Sequence, residues 1–235
     1  LPRLVMPRSL ARLALCLPDV RMRASYGVLL IPPARRDGTL LDIGCGNGRF
    51  LTIMRTLGWR VEGIEPDERS AELARRSSGA AVHAELYDEL FPPGHFDVIT
   101  MNHVLEHLGD PATALRRCFR VCATGGLLGI VVPNWRALGH RLFGRHWYAL
   151  EPPRHAVMYE PRTLGRALER AGFRVETLRT TSVREWATAW RKSWRYRTGR
   201  SSSRPLVAAW GAASSLTGLL ARDSGEELLV WARKP

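Results

Sequence analysis

A strand, a glycine-rich turn and a helix follow one another between residues 39 and 57, and this order constrains the fold more than any other feature. Thr39–Ile43 is an apolar, partly β-branched run that suits a buried strand, with Asp42 near its end. Gly44, Gly46 and Gly48 follow at a spacing of two. Apolar residues then recur with a helical period at Phe50, Leu51, Ile53, Met54 and Leu57. Glycines let a ligand approach the backbone, and a helix start offers free N–H groups, so the layout predicts a nucleotide-type site.

The spacing of these glycines distinguishes between classes of nucleotide site. A dinucleotide fingerprint requires G-x-G-x-x-G, and a phosphate-binding loop requires G-x-x-x-x-G-K-[ST], and neither occurs here. The pattern D-x-G-x-G-x-G after an apolar strand resembles motif I of the class I S-adenosylmethionine (SAM) methyltransferases. The resemblance implies that Gly44, Cys45 and Gly46 pass under the amino-acid part of SAM, and that the Asp42 carboxylate acts near its ammonium group. A purely structural glycine turn is the alternative interpretation.

Further candidate cofactor residues follow at the ends of the next strands. The second strand, residues 60–65, ends in Glu65, 23 positions after Asp42, where a carboxylate suits two ribose hydroxyls. The sequence G-I-E-P-D resembles the family's second motif and therefore implicates Pro66 as well. By the same resemblance, the turn after the third strand meets the adenine edge, and the end of the fourth strand contacts the cofactor. These two places contribute Glu85, Leu86, Asn102 and His103, with Asp88 as the alternative residue in the turn after the third strand.

The later part of the chain continues the resemblance in order. F-D-V-I-T, H-V-L-E-H-L-G-D-P, G-G and V-V-P-N follow one another between residues 96 and 134. This series is most similar to the group that includes the ubiquinone-biosynthesis O-methyltransferases. It implies an α/β fold, with a Rossmann-like seven-stranded sheet that is mostly parallel, a last strand that is antiparallel, and helices on both faces. The family's K-P-G-G turn is Ala-Thr-Gly-Gly here, and we expect a turn at Gly125–Gly126 before a fifth strand at 127–132.

The chain divides into three predicted parts. Residues 1–36 are expected to form an N-terminal helical cap in which Tyr26 is a candidate cofactor contact. Residues 37–183 and 223–235 form the methyltransferase core. Residues 184–222 form a basic, tryptophan-rich helical insertion before the last strand, in which Trp186, Trp190 and Trp194 share one helix face. This insertion, with its apolar stretch at 205–221, has three interpretations: a hairpin packed on the core, a helix resting on an anionic membrane, or a lid over a hydrophobic substrate.

The distribution of charge restricts the partners. The net charge is +13, but residues 37–183 carry 18 basic and 17 acidic side chains, so the excess lies in the two flanking segments. This favours flanks that meet an anionic surface, and it argues against a nucleic-acid groove in the core. The four cysteines form no C-x-x-C pair, which fits a reducing cytoplasm. We therefore expect a cytoplasmic protein with peripheral contact to an anionic membrane.

Three histidines are candidates for the catalytic base. SAM carries an electrophilic methyl group, so an enzyme of this class has to align a nucleophile and remove its proton. His103, His107 and His155 stand at strand ends or in the loop above them, where ligands bind in open α/β sheets. Family position ranks His107 and His155 first. The loop 136–155 is expected to place aromatic side chains, Trp147 and Tyr148 among them, over the methyl group.

The expected reaction is methyl transfer to a small-molecule acceptor, preferably at a hydroxyl group, with a hydrophobic molecule as one option; methylation at nitrogen or carbon stays open. An RNA methyltransferase and a SAM-binding protein without catalysis are the alternatives. His103-x-x-Glu106-His107 also matches the H-x-x-E-H pattern of zinc peptidases. That pattern needs a long helix, whereas here it follows a strand directly and Gly109 comes two residues later. We therefore predict no metal site, and leave open a metal ion that assists substrate binding.

Overall fold

The computed structural model describes residues 30–32, 37–181, 186–201 and 223–235, with the backbone alone at 186–189. Seven strands form one sheet in the order β3-β2-β1-β4-β5-β7-β6. Strands β1 to β5 are parallel, and β7 is antiparallel to both of its neighbours. The prediction of a mostly parallel sheet with an antiparallel last strand is therefore confirmed. The strands are β1 Thr39–Ile43, β2 Arg60–Ile64, β3 Ala81–His83, β4 Phe96–Asn102, β5 Cys122–Pro133, β6 Arg174–Thr181 and β7 Glu227–Arg233.

Helices cover both faces of the sheet. The α-helices in the described ranges are α1 Arg49–Thr56, α2 Glu68–Ser78, α3 Pro111–Val121, α4 Leu138–Phe143, α5 Pro161–Arg170 and α6 Trp186–Thr198, with 3₁₀ turns at Leu105–His107, Gly144–His146 and Tyr148–Leu150. Leu40 and Leu41 point to opposite faces of β1. Leu40 joins the buried cluster that holds the apolar residues of α1 and α2, and Leu41 joins the cluster of α3 and α5.

Side-chain caps fix where two of these helices begin. The Asp67 carboxylate accepts a hydrogen bond of 2.9 Å from the Ser70 N–H and starts α2. Asp110 accepts one of 3.0 Å from the Thr113 N–H, and Pro111 stands in the first turn of α3. Both aspartates satisfy backbone donors that have no partner within the helix. They thereby set α2 and α3 with their N-termini at the ends of β2 and β4.

The expected turn at Gly125–Gly126 is wrong in one respect. Helix α3 passes directly into β5 at Cys122, and the glycines lie inside the strand. Phe96 pairs with Cys122 and Val98 with Leu127, so β5 contains three more residues than β4 between the two pairs. This irregularity absorbs the glycine pair, and Gly125 takes a φ of +75° within it.

The predicted cap and most of the predicted insertion lie outside the described residues, and so do Tyr26 and residues 205–221. Leu30 is buried against Val131 and Leu229. Helix α6 packs on the segment that follows β5. Trp190 and Trp194 lie against the cluster of Phe143 and Trp147, with 5.1 Å between the ring centres of Phe143 and Trp190. Trp190 and Trp194 are therefore packed inward against this segment.

Candidate active site

A cavity of about 480 Å³ opens at the carboxyl ends of β1, β2 and β4, which is the usual place for ligands in such sheets. Four predicted cofactor residues line it: Gly44, Pro66, Glu85 and Leu86. Its walls are otherwise mainly apolar, with Ile43, Ile64, Met101, Val104 and Leu108 among them. The cavity is large enough for a small cofactor molecule.

The three glycines of the turn beside the cavity differ in the space that surrounds them. Gly44, Gly46 and Gly48 all have positive φ, at +73°, +54° and +78°. A Cβ atom at Gly44 would lie 2.3 Å from the Val104 side chain, and one at Gly48 would lie 2.6 Å from the Ala74 backbone. A Cβ atom at Gly46 would meet no atom within 4 Å. Gly44 and Gly48 therefore allow close packing within the protein, whereas Gly46 faces open space that a ligand can use.

Glu65 binds the glycine turn through its carboxylate. One oxygen accepts a hydrogen bond of 2.9 Å from the Gly46 N–H, and the other accepts one of 3.0 Å from the Asp67 N–H. The side chain is half-buried, so its oxygens retain lone pairs on the open side. This geometry holds an acceptor group at the end of β2 in an orientation fixed by the backbone.

Asp42 lies below the turn, inside the sheet. It is 5% exposed, and its carboxylate accepts a hydrogen bond of 2.7 Å from the Thr100 hydroxyl across the β1–β4 register. Burial raises the pKa of Asp42 to about 7; the Thr100 bond lowers it and the charge of Glu65 raises it further. A positively charged ligand in the turn would favour the ionised carboxylate.

Cys45 is a buried residue of the same turn. Its sulfur packs so closely on β2 that a Cβ atom at Gly63 would lie 2.6 Å from it. Burial raises the pKa of the thiol to about 12, with the charges of Asp42 and Glu65 adding to the effect. The Cys45 thiol is therefore uncharged and serves in packing, and Cys45 contributes only its backbone to the surface of the glycine turn.

The residues present fit SAM. Open space over Gly46, two carboxylates beside it and an adjoining apolar cavity suit a cofactor that has a positive charge, a ribose and an adenine ring. Asp42 and Glu65 provide the negative charge, and Glu85 and Leu86 line the cavity beyond Pro66.

His103 occupies a strained position between two buried acids. Its φ is +56°, and its N–H donates to the Val131 carbonyl at 2.9 Å. Nδ1 lies 3.1 Å from a Glu106 oxygen and Nε2 lies 2.8 Å from a Glu227 oxygen. Burial lowers the pKa of His103, but the two acids outweigh it and raise the pKa to about 10. Because the imidazolium has no lone pair, this environment disfavours a general-base role for His103.

Asn102, the residue before His103, is exposed at the end of β4 and does not line the cavity.

His107 and His155 meet although 48 positions separate them in the chain. Their ring centres lie 4.6 Å apart. His107 Nδ1 lies 2.9 Å from the Arg154 carbonyl oxygen, and His155 Nδ1 lies 2.6 Å from that of Ala149. A carbonyl oxygen only accepts, so each Nδ1 carries a hydrogen and each neutral ring has its lone pair on Nε2. The fold thus pairs two imidazoles beside the turn between Val104 and Leu108, which line the cavity.

The loop above the sheet is arranged differently from the aromatic wall that we expected. Trp147 is 2% exposed, and its Nε1–H donates a hydrogen bond of 2.9 Å to Glu226, just before β7. Glu226 also accepts from the Gly139 N–H at 2.8 Å, and burial raises its pKa to about 6. Neither Trp147 nor Tyr148 lines the cavity. Trp147 therefore ties the loop to the sheet from within.

The N-terminal half of α3 contributes cavity residues that the sequence analysis missed. Asp110, Thr113 and Arg117 line the cavity opposite the glycine turn. The Arg117 guanidinium donates to the Leu86 carbonyl at 2.8 Å and lies 3.4 Å from Asp88. It therefore holds the turn after β3 against α3. The G-D-P sequence indicates the start of this helix, but not that its first turns line the cavity.

Comparison with known proteins agrees with this architecture. Residues 15–178 match the methyltransferase domain family. A ubiquinone biosynthesis O-methyltransferase of Thiobacillus denitrificans is 32% identical over 152 residues, which is 59% of this chain and 66% of the relative. One of Pseudomonas paraeruginosa is 38% identical over 97 residues, 37% of this chain and 41% of the relative. The chain thus spans less than two thirds of the length of these curated relatives.

Solved structures share the fold at low sequence identity. A SAM-dependent methyltransferase from Mesorhizobium loti is 20% identical, covers 90% of this chain and 97% of its own, and has a TM-score of 0.60. The 4+2 cyclase SpnF is 23% identical, covers 97% and 80%, and also has a TM-score of 0.60. Because one fold serves both a transferase and a cyclase, the similarity to these structures shows the fold alone.

No helix in the described ranges is both long and apolar enough to cross a bilayer. The family match covers most of the chain and includes the glycine turn, Glu65 and the paired strands that position them. SAM is the cofactor that this match implies, and the cavity, the open glycine and the two carboxylates fit it. The chain belongs to the methyltransferase domain family.

Proposed function

We propose that this protein is a SAM-dependent methyltransferase that methylates a hydroxyl group of a small, hydrophobic acceptor. The single observation that carries the proposal is the His107–His155 pair, whose ring centres lie 4.6 Å apart next to the cavity-lining residue Leu108 and whose Nδ1 atoms both face carbonyl oxygens. A hydroxyl group is a poor nucleophile until it loses its proton, so a site for hydroxyl methylation needs such groups. The names of the similar proteins, ubiquinone biosynthesis O-methyltransferases, also support an oxygen acceptor.

The cofactor is assigned to the glycine turn and the ends of β1 and β2. Asp42 and Glu65 supply negative charge, Gly44, Cys45 and Gly46 supply backbone, and Pro66, Glu85 and Leu86 supply the cavity wall. When bound, SAM provides a methyl group on a positively charged sulfur, which is already an electrophile. Asn102 and His103, at the end of β4, remain predicted contacts on its outer side.

The protein's own contribution is alignment and proton removal. Holding both reactants in place supplies several kcal/mol, up to about 7–11 in favourable systems. A positioned proton acceptor adds about 10²–10⁴-fold. His107 and His155 are assigned to promote loss of the hydroxyl proton, because their Nδ1 atoms are anchored on carbonyl groups and their Nε2 atoms are left for the acceptor.

A hydrophobic acceptor fits the surroundings of the site. The cavity lining is mainly apolar, and helix α6 exposes Arg191, Lys192 and Arg195 while Trp194 packs inward. Such a basic surface supports peripheral contact with an anionic membrane, where hydrophobic acceptors concentrate. Binding to anionic vesicles that weakens as salt is raised would support this part of the proposal.

Transfer of methyl label tests the function. The full chain is incubated with methyl-labelled SAM and an extract of the source cell, and label is counted in the organic and aqueous phases. We expect label in the organic phase. His107→Asn and His155→Asn retain a side-chain N–H for the carbonyl partner but lose Nε2, and each should slow transfer by about 100-fold or more. SAM binding, measured by calorimetry, should persist in both.

Two controls make the assay specific. His140→Asn alters a histidine whose Nδ1 also lies 2.7 Å from a carbonyl oxygen, that of Trp135, but which is not part of the His107–His155 pair. It should transfer label at the rate of the unaltered protein. Glu65→Gln removes a negative side-chain charge from the proposed cofactor site and should therefore weaken SAM binding. Label confined to RNA or to amines, or SAM binding without transfer to any fraction, would reject the proposed function.

A further inference from the structure

Three metal-ligating side chains converge beside the cavity. The ligand atoms of Glu106, His107 and His155 all lie within 4.8 Å of one another. Glu106 and His107 belong to the 3₁₀ turn after β4, whereas His155 comes from the loop before α5. Backbone bonds hold the two segments together, because the N–H groups of Ala156 and Val157 both donate to the Glu106 carbonyl, at 2.8 and 3.2 Å.

The two imidazoles are oriented as metal ligands usually are. In metal sites a histidine commonly donates one ring N–H to a carbonyl or carboxylate and binds the ion through the other nitrogen. His107 and His155 both follow this pattern, with Nδ1–H directed at backbone carbonyls. The Nε2 atom of His155 lies 4.0 Å from a Glu151 carboxylate oxygen, which is beyond hydrogen-bond range.

Glu106 supplies an independent sign of a missing partner. Its side chain is fully buried, and its Oε2 atom has no hydrogen-bond partner among the described residues. Its other oxygen binds His103. A buried carboxylate oxygen without a partner is costly, because it has lost its hydration and received no donor in return. A cation at Oε2 would remove this cost.

A second buried carboxylate oxygen near Glu106 also lacks a partner. His103 lies between two buried acids, with Nδ1 3.1 Å from a Glu106 oxygen and Nε2 2.8 Å from a Glu227 oxygen. The second oxygen of Glu227 has no hydrogen-bond partner among the described residues. Buried acceptor atoms that have received no donor are atoms that a cation can satisfy.

We infer that Glu106, His107 and His155 form a binding site for one divalent transition-metal ion. Two imidazoles and one carboxylate are the ligands that Zn²⁺, Fe²⁺, Co²⁺ and Mn²⁺ accept, whereas Mg²⁺ prefers oxygen alone. Such ions bind at about 2.0–2.2 Å, which requires ligand atoms roughly 3–3.5 Å apart, so the side chains close by about an ångström on binding. Three protein ligands leave positions open for the acceptor.

The role of the ion rests on the proposed function. An acceptor hydroxyl that binds at an open position becomes more acidic. Its O–H bond breaks, the proton leaves to solvent, and both electrons of that bond remain on oxygen for attack on the methyl group. His107 and His155 then promote proton loss through the ion. This also explains why two imidazoles meet where a single base would suffice.

Cobalt binding tests the site directly. The full chain is stripped with a chelator and titrated with Co²⁺, with the visible spectrum and the metal content recorded. We expect about one equivalent per chain and an absorption band typical of low-coordinate Co²⁺. Glu106→Gln, His107→Asn and His155→Asn should each weaken binding by at least about tenfold. His140→Asn should bind as the unaltered protein does. Circular dichroism and SAM binding confirm that each variant is folded.

The outcomes separate the metal site from the proposed function. The metal site is overturned if the unaltered protein shows no Co²⁺ band, or if the three variants show a band equal to that of the unaltered protein. In that case, label transfer by the chelator-treated protein would still support hydroxyl methylation. Co²⁺ bound through these residues without any label transfer supports the site and rejects the function. If both are right, chelation stops the transfer and added Co²⁺ or Zn²⁺ restores it. Should Glu106→Gln fail to fold, His155→Asn alone decides.

Discussion

Replacing Asp42 with Asn should make the ligand-free protein more stable at alkaline pH and weaken SAM binding. Asp42 is buried inside the sheet and its pKa is raised to about 7, mainly by burial. In the unfolded chain the same carboxyl ionises near pH 4. Between these values the folded state holds a proton that the unfolded state has lost. The stability that this proton provides is complete below pH 4 and is lost as pH rises towards 7.

The size of this effect on stability follows from the difference between the pKa values of Asp42 in the folded and unfolded states. A difference of roughly three pH units at about 1.4 kcal/mol per unit costs the native state up to about 4 kcal/mol above pH 7. Asn accepts the Thr100 hydrogen bond without ionising. Its buried amide N–H₂ costs about 1–3 kcal/mol, and that cost does not depend on pH. The unfolding free energy of Asp42→Asn relative to wild type should therefore rise by about 2.5 kcal/mol from pH 5 to pH 8.

Urea unfolding at several pH values measures this difference, with SAM titrations run on the same samples. Asp37→Asn is the control, because this exposed aspartate lies two residues before β1. The unfolding free energy of the control should change with pH as that of wild type does. Wild type should bind SAM less tightly below pH 7, because the positive cofactor favours ionised Asp42. The Asn variant should bind weakly without this pH dependence.

A stability difference that stays constant from pH 5 to pH 8 would refute the reasoning, since it would mean that Asp42 ionises alike in both states. SAM affinity equal to that of wild type in Asp42→Asn would refute the assigned role. The two outcomes are independent. A carboxylate can be costly to bury and still have no part in cofactor binding.

Two further substitution pairs test the packing of the site. Gly48→Ala should lower the unfolding free energy by about 2–4 kcal/mol in urea titrations, because its Cβ would press on the α2 backbone at positive φ. Gly46→Ala, with open space around it, should cost only about 1–2 kcal/mol yet abolish measurable SAM binding, and equal stability losses would contradict this assignment. Trp147→Phe leaves Glu226 without its indole donor and should cost about 1–3 kcal/mol by the same method. Trp135→Phe, at an exposed position, should be nearly neutral.

The sequence by itself determined the strand, glycine turn and helix at the carboxyl end of β1. The glycine turn, Asp42 and Glu65 lie on consecutive elements, so local rules of strand, turn and helix were sufficient to predict the geometry. The mostly parallel sheet and the antiparallel β7 were implied by the family resemblance of the ordered motifs, and the structure confirms them. The start of β5 was mispredicted, because a bulge can absorb two glycines that otherwise signal a turn.

The surroundings of the candidate histidines were decided by the tertiary structure alone. His103 pairs with Glu227 across 124 positions, and His107 meets His155 across 48. Nothing in the local sequence predicts that Glu106 is buried with one oxygen that has no partner in the described part of the chain, or that Trp147 turns inward towards the sheet. These contacts exist because β7 inserts between β5 and β6 and the loop before α5 folds back onto the turn after β4. Periodicity and spacing report only on neighbours along the chain, whereas chemistry at this end depends on groups that long-range strand pairing brings together.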